Sequence, residues 1–313
     1  MERRSSGTDL TGLLSAALTN DVVVFALTPP LCSSLLALKL DPRPYLVGLA
    51  GAANAGSALT LIGNPQNILI GQAGNLEFWR YTLIALLPTL LSLGIIYAVV
   101  AVTWPIRAGA QVEAAAAHID RFQLAKALLA IVALIAMFFT PLPREVSALT
   151  VAGFLLLSRR LSSREMIGAV DWHLLLLFVC LFGVTAAFAA TGVAQAGLSW
   201  MEHAGLLPER LSVMTPLTVA FSNTIGNVPA VILIIKLLPD IGEGPLTGLA
   251  LLSTLAGNLL LTGSMCNIIV AERAASVGAR LSFGDFARSG IVMTTLSLAA
   301  AAAGLWVTGL MIL

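Results

Sequence analysis

The chain has 313 residues, of which 58% are hydrophobic and only 11% charged, with 17 Lys and Arg against 16 Asp and Glu. A soluble domain carries roughly a quarter charged residues, so the composition excludes an ordinary globular protein; the net charge of +1 argues against a nucleic-acid partner. Cys32, Cys180 and Cys266 are scattered without a C-x-x-C, which argues against a disulfide framework and a zinc site.

In chain order, the first feature is "TNDVVVFALTPP" (19–30), where Asn20 and Asp21 stand before an apolar run and read as the tip of a hairpin returning near Lys39 and Arg43. An apolar stretch over 45–75 follows, interrupted by "TLIGNPQNILIG" (60–71). Gly and Pro break helices and buried amides need partners, so the interruption calls for a reason. Segment 82–104 is nearly free of charge and long enough to span a bilayer. The polar stretch 105–122 is too short to fold alone and reads as a cytoplasmic linker. Segments 124–140, 143–157 and 172–190 read as further crossings. "SNTIGNVPAVILI" (222–234) forms a second polar tip within a hairpin over 206–239, with Ser222, Asn223 and Thr224 as its polar residues. A second interrupted stretch, 246–272, carries "LAGNLLLTGSMCNIIVAE" (255–272) with Gly263, Ser264 and Asn267, and 289–313 is the last crossing. "EFWRY" (77–81) and "RLSFGDFAR" (280–288) read as interfacial helices. Apolar segments recurring along the whole length are not a signal peptide.

The interruptions form a repeat. At an offset of 200 residues, Leu59, Leu61, Gly63, Asn67 and Ile68 fall on Leu259, Leu261, Gly263, Asn267 and Ile268, and Asn20 lies 203 residues before Asn223. Paired interrupted segments in corresponding halves point to a midplane binding site in secondary transporters. Lys and Arg concentrate in cytoplasmic loops. If the first hairpin enters from the cytoplasm, 13 basic residues fall inside (Arg3, Arg4, Lys39, Arg43, Arg107, Arg121, Lys126, Arg159, Arg160, Arg164, Arg273, Arg280, Arg288). Only four fall outside (Arg80, Arg144, Arg210, Lys236), and the second hairpin then enters from the opposite face. The expected fold is an all-α, multi-pass cell-membrane protein of two inverted repeats, each with a re-entrant hairpin and a broken transmembrane helix. The repeats span 1–104 and 123–313. Only 19 residues precede Asn20, whereas Gln123 lies 100 residues before Asn223. Repeat symmetry therefore predicts a first repeat truncated at its N-terminus by about 80 residues of scaffold.

Asn20-Asp21, Gly63-Asn64-Pro65-Gln66-Asn67-Ile68, Asp171-Trp172, Ser222-Asn223-Thr224 and Gly263-Ser264 with Asn267 together resemble the ion transporter superfamily. That group includes divalent-anion/sodium symporters, citrate transporters, arsenite permeases and sodium/proton antiporters of the NhaD type. The resemblance implies a homodimer working by an elevator-like displacement. Symporters of the group typically carry Ser-Asn-Thr at both tips, as Ser222, Asn223 and Thr224 do here. The Asn20-Asp21 tip is closer to the arsenite-permease and NhaD-like branch.

Where a helix breaks at membrane depth its N–H and C=O ends face a cavity; half-helix N-termini attract anions, and freed carbonyls and amide oxygens coordinate Na⁺. One cation site is expected at Asn20, Gly63 and Asn67, a second at Asn223, Gly263 and Asn267, with Asn64, Ser222, Thr224 and Ser264 completing the substrate site. Asp21 is the one carboxylate expected at membrane depth, and such acids are functional by default. It reads either as the coupling group or as a cap on its own helix. Cys266 reads as a small apolar filler rather than a metalloid ligand, and His173 as interfacial. No nucleophile–base pair or metal cluster suggests an enzyme. The expected function is secondary active transport of a small inorganic or organic anion coupled to Na⁺ or H⁺, without any other cofactor. A Na⁺/H⁺ antiporter using Asp21, an arsenite efflux permease, or a non-transporting truncated homologue are the alternatives.

Overall fold

A computed structural model describes residues 11–104, 121–137, 142–156, 172–206, 208–238 and 241–312, with 140, 164, 168 and 170 as single positions. Residues 105–120 of the linker, Arg107 among them, and Arg160 and Asp171 lie outside the described residues, while Arg121 and Phe122, read as the end of the linker, open a helix. The described part is mostly helical, with α1 (Asn20–Ala37), α2 (Arg43–Ser57), α3 (Pro65–Ala73), α4 (Phe78–Thr103), α5 (Arg121–Met137), α6 (Arg144–Leu156), α7 (Trp172–Ala190), α8 (Val193–His203), α9 (Leu211–Thr224), α10 (Asn227–Leu237), α11 (Glu243–Ala256), α12 (Met265–Ser276) and α13 (Phe283–Val307). A short helical stretch over 11–17 leads into α1, and a 3₁₀ turn, Leu261–Gly263, precedes α12.

The chain divides into two compact units, Val112–Leu181 and the remainder. In the smaller unit α5 packs on α6, and the Lys126 ammonium donates to the Leu155 carbonyl at 2.8 Å. Among the described residues these helices have 17 and 13 residues, against the ~20 of a straight crossing.

In the larger unit, polarity is distributed as lipid demands. The buried face of α4 runs through Phe78, Tyr81, Ala85, Pro88, Ser92, Ile96 and Val99 at helical spacing, against α2 and α13. Its opposite face exposes Leu83, Leu87 and Val102, the last 82% exposed. Hydroxyls face inward and leucines outward, the reverse of a water-soluble helix. Three described helices, α1, α4 and α13, are long and apolar enough to cross a membrane. The α13 helix corrects the sequence reading. Residues 283–288 are not a separate interfacial helix, because Ser282 and Asp285 form a capping box that starts one continuous helix at Phe283. "EFWRY" likewise opens α4: the Glu77 carboxylate accepts the backbone N–H groups of Trp79 and Arg80 as N-cap.

The two interrupted stretches lie at the centre. α2 and α11 are buried on all sides from Leu46 and Leu246 onward. Small residues such as Gly48, Gly51, Ala52, Ala53, Ala55 and Gly56 let other backbones approach α2 closely. α2 packs against α12, and α11 against α3, so each stem lies beside the segment after the other break. α1 packs on α12, while α10 packs on α3. At one end of the unit, Arg43 binds Asp41 (2.8 Å) and Asp285 (3.3 Å) and lies over the Trp104 ring. That guanidinium holds the Asp41 carboxyl below its ordinary range. At the other, Arg80 pairs with Glu243 at 3.0 Å.

Candidate functional site

The first break covers residues 58–64. Asn64 closes it by accepting the Asn67 backbone N–H at 2.8 Å, with Pro65 in the first helical turn of α3 where no N–H is needed. Gly63 is required here, since a Cβ would collide with the Ser57 backbone carbonyl. The Gly63 carbonyl accepts the Asn20 backbone N–H at 2.9 Å, which brings the first tip onto the first break. The Asn67 amide donates to the Thr60 carbonyl and to the Tyr81 hydroxyl, both at 3.1 Å, and Tyr81 in turn donates to the Ala58 carbonyl at 2.8 Å.

The second break covers residues 257–264. The Asn267 amide donates to the Gly257 carbonyl (2.8 Å) and the Leu260 carbonyl (3.1 Å). Thr60 and Leu260, like Asn67 and Asn267, are 200 residues apart, so this wrap recurs in the sequence register. Asn223 clasps the same stretch. Its amide donates to the Ala256 carbonyl at 3.0 Å, its oxygen accepts the Leu260 N–H at 3.2 Å, and a Cβ on Gly263 would strike that oxygen. Asn20, Gly63 and Asn67 therefore converge at one break, and Asn223, Gly263 and Asn267 at the other.

Local geometry revises one pairing. Asn223 lies in the last turn of α9, followed by Gly226 at φ 92°, and Asn227 opens α10. Asn227 accepts the next backbone N–H on its own side-chain oxygen, as Asn20 does at the start of α1, each at 3.0 Å. In its local role Asn20 thus matches Asn227 rather than Asn223, and Asp21 matches Val228. The other tip residues differ in exposure. Ser222 is buried with its hydroxyl on the Ser253 carbonyl at 3.5 Å, whereas Thr224 is exposed and donates back to the Ala220 carbonyl at 2.7 Å.

Three residues that the sequence reading passed over connect the breaks. The Asn54 amide donates to Asn258 (2.8 Å) and Asn267 (3.0 Å), and its oxygen accepts from Asn20 (2.9 Å) and Ser264 (3.0 Å). The Thr254 hydroxyl accepts from Asn64 (3.2 Å) and Gln66 (3.3 Å) and donates to Asn67 (3.3 Å). Asn258 also donates to the Gly51 carbonyl at 3.2 Å. Ser264 makes no cap bond to its own helix because its hydroxyl is turned to Asn54.

Asp21 is 5% exposed and is the buried acidic residue among the described residues. It does not cap α1: among the described residues no hydrogen bond or ion pair engages its carboxylate. Its helix α1 packs on α12, where Cys266 is buried. Among the described residues no group of three His, Cys, Asp or Glu could hold a metal ion.

A family model described as citrate transporter matches residues 9–246. The uncharacterized transporter Rv2684 of Mycobacterium tuberculosis is 28% identical over 323 residues, covering 95% of this chain and 75% of that protein. The inner membrane protein YbiR of Escherichia coli is 30% identical over 266 residues, 84% of this chain and 67% of its own length. The putative transporter arsB of Dictyostelium discoideum is 35% identical over 82 residues, 26% of this chain and 15% of that protein. The chain belongs to the citrate transporter family and is a multi-pass protein of the cell membrane, in keeping with its resemblance to the ion transporter superfamily.

Proposed function

We propose that this member of the citrate transporter family is a secondary active transporter that moves a small inorganic or organic anion, coupled to Na⁺ or H⁺, through the junction of its two broken helices. One observation carries the reading: two breaks from opposite ends of the chain share a single buried network of amides and hydroxyls. Polar groups are costly to bury in lipid and here are held by bonding to one another, and such a cluster at membrane depth points to a polar cargo. The N-termini of α3 and α12 suit an anion, and the carbonyls and amide oxygens beside them suit a cation. On this reading Asn20, Gly63 and Asn67 form one cation site and Asn223, Gly263 and Asn267 the other, with Asn64, Ser222, Thr224 and Ser264 toward the anion. The halves are inverted repeats with re-entrant hairpins, and the unit works as a homodimer. The packing of α1 on α12 and of α10 on α3 supports that symmetry.

A second reading, proton-coupled exchange with Asp21 as the exchanging group, is favoured by its burial with no hydrogen bond or ion pair to its carboxylate among the described residues. Uptake into proteoliposomes separates the two. Labelled citrate, dicarboxylates, sulfate and arsenite are offered with and without a Na⁺ gradient and a pH gradient. Anion accumulation driven by either gradient supports the transporter. Movement of Na⁺ against H⁺ without any anion supports the exchanger, and no flux under any gradient contradicts both. For the topology, Lys39→Cys is expected to react only from the cytoplasm and Lys236→Cys only from outside, in a Cys180→Ser background. Labelling of both from one face would overturn the inverted arrangement.

A further inference from the structure

Asn54 and Thr254 stand 200 residues apart, at the same position of the stems preceding the two breaks. Each reaches the amide oxygen of the asparagine belonging to the other break: Asn54 Nδ2 to Asn267 Oδ1 at 3.0 Å, and Thr254 Oγ1 to Asn67 Oδ1 at 3.3 Å. Satisfaction alone does not require this. Thr28 and Ser57, equally buried, donate to carbonyls of their own helices, at 2.6 and 2.8 Å. Asn54 and Thr254 instead spend their hydrogen bonds across the junction. Asn54 also holds Asn20, so the first tip, the first stem and the second break share one side chain.

An amide oxygen has two lone pairs, so Asn67 Oδ1 can hold the Thr254 hydroxyl and a cation together. A cation there pins Thr254, and with it the end of α11 from which the second break departs. Asn267 and Asn54 do the same in the opposite sense. The first ion orders the residues that the second ion needs, which is positive coupling. We propose that Asn54 and Thr254 are positioning residues that couple the two breaks, so that a cation bound at one raises the affinity at the other. This rests on the reading of the breaks as cation sites.

The test is anion uptake into proteoliposomes as a function of the coupling cation, for the wild type, Asn54→Ala, Asn54→Ser, Thr254→Ala and Thr254→Ser. The wild type is expected to respond sigmoidally. In Asn54→Ala and Thr254→Ala the response is expected to become hyperbolic, with the half-activating cation concentration raised about tenfold and the maximal rate much less affected. Thr254→Ser keeps the hydroxyl and is expected to keep the sigmoid. Sigmoid responses in Asn54→Ala and Thr254→Ala, or loss of the sigmoid in Thr254→Ser as complete as in Thr254→Ala, would overturn the coupling. The network is also read without transport, by thermal unfolding of the purified protein. The pairs Asn54→Ala with Asn267→Ala and Thr254→Ala with Asn67→Ala are expected to be non-additive, with Asn54→Ser in place of Asn54→Ala if the latter does not fold. Additivity in both pairs overturns the inference, whereas a wild type that moves no ion with non-additive pairs removes only the transport reading.

Discussion

The two breaks are built alike but supported differently. At the first, Asn67 is braced by the Tyr81 hydroxyl, Asn64 caps the following helix, and a carboxylate stands one residue beyond the tip asparagine. At the second, Leu281 occupies the position 200 residues after Tyr81, Ser264 leaves its helix uncapped to reach Asn54, and the residue matching Asp21 is Val228. The shared parts are the asparagine that wraps the carbonyls of the break and the close-packed glycine. The unshared parts point to a division of labour: both breaks are held across the junction, by Thr254 and by Asn54, but the first alone has the tyrosine brace, the asparagine cap and the carboxylate.

The largest expected effect comes from the glycines. Gly63→Ala sets a methyl against the Ser57 backbone carbonyl, which cannot swing away, so a loss of roughly 3 kcal/mol is expected. Gly263→Ala meets the movable Asn223 side chain first, although the Gly257 carbonyl lies 2.8 Å away. Its loss should be smaller. Melting curves of the two purified variants check the ordering, and a larger loss in Gly263→Ala would overturn it.

Asp21→Asn is next. The isosteric amide should leave folding intact while flux loses its dependence on the driving ion, because no second buried acid among the described residues can replace it. Val228→Asn, at the matching position, should leave ion dependence in place. Uptake against pH and against Na⁺ distinguishes them, and an unchanged profile in Asp21→Asn removes the carboxylate from coupling. The smallest effect is expected from Tyr81→Phe, which removes one donor and one acceptor for a loss of about 1 kcal/mol. A melting temperature equal to wild type would show that the brace contributes nothing.

Much of this junction was legible in the sequence because a bilayer makes polar residues conspicuous. Asn20, Asp21, Asn67, Asn223 and Asn267 interrupt apolar runs, and the structure gathers them at two neighbouring breaks. Asn54 and Thr254 were overlooked for a physical reason. Within "LAGAANAGSA" and "LLSTLAGN" a single small polar residue does not break a helix, so nothing disturbs the pattern. The 200-residue register that aligned Gly63 with Gly263 also aligns Asn54 with Thr254, and that signal was available. Tyr81 was hidden because "EFWRY" has the aromatic composition of an interfacial segment. Its burial follows from the helix phase it shares with Phe78 and Ala85 on α4, which depends on where the Glu77 cap sets the helix start. Asn227 was masked by Asn223 four residues earlier, since only the turn at Gly226 reveals which of them opens the second arm.

The central claim, that the crossing of the two breaks is the transport site, is tested most directly by gradient-driven anion uptake in proteoliposomes of Asn67→Ala and Asn267→Ala beside the wild type. Each variant removes the amide that wraps one break. Both variants are expected to insert and fold, each to lose most of its flux, and the remaining flux to need more coupling cation. Wild-type rates and wild-type ion dependence in both variants would contradict it.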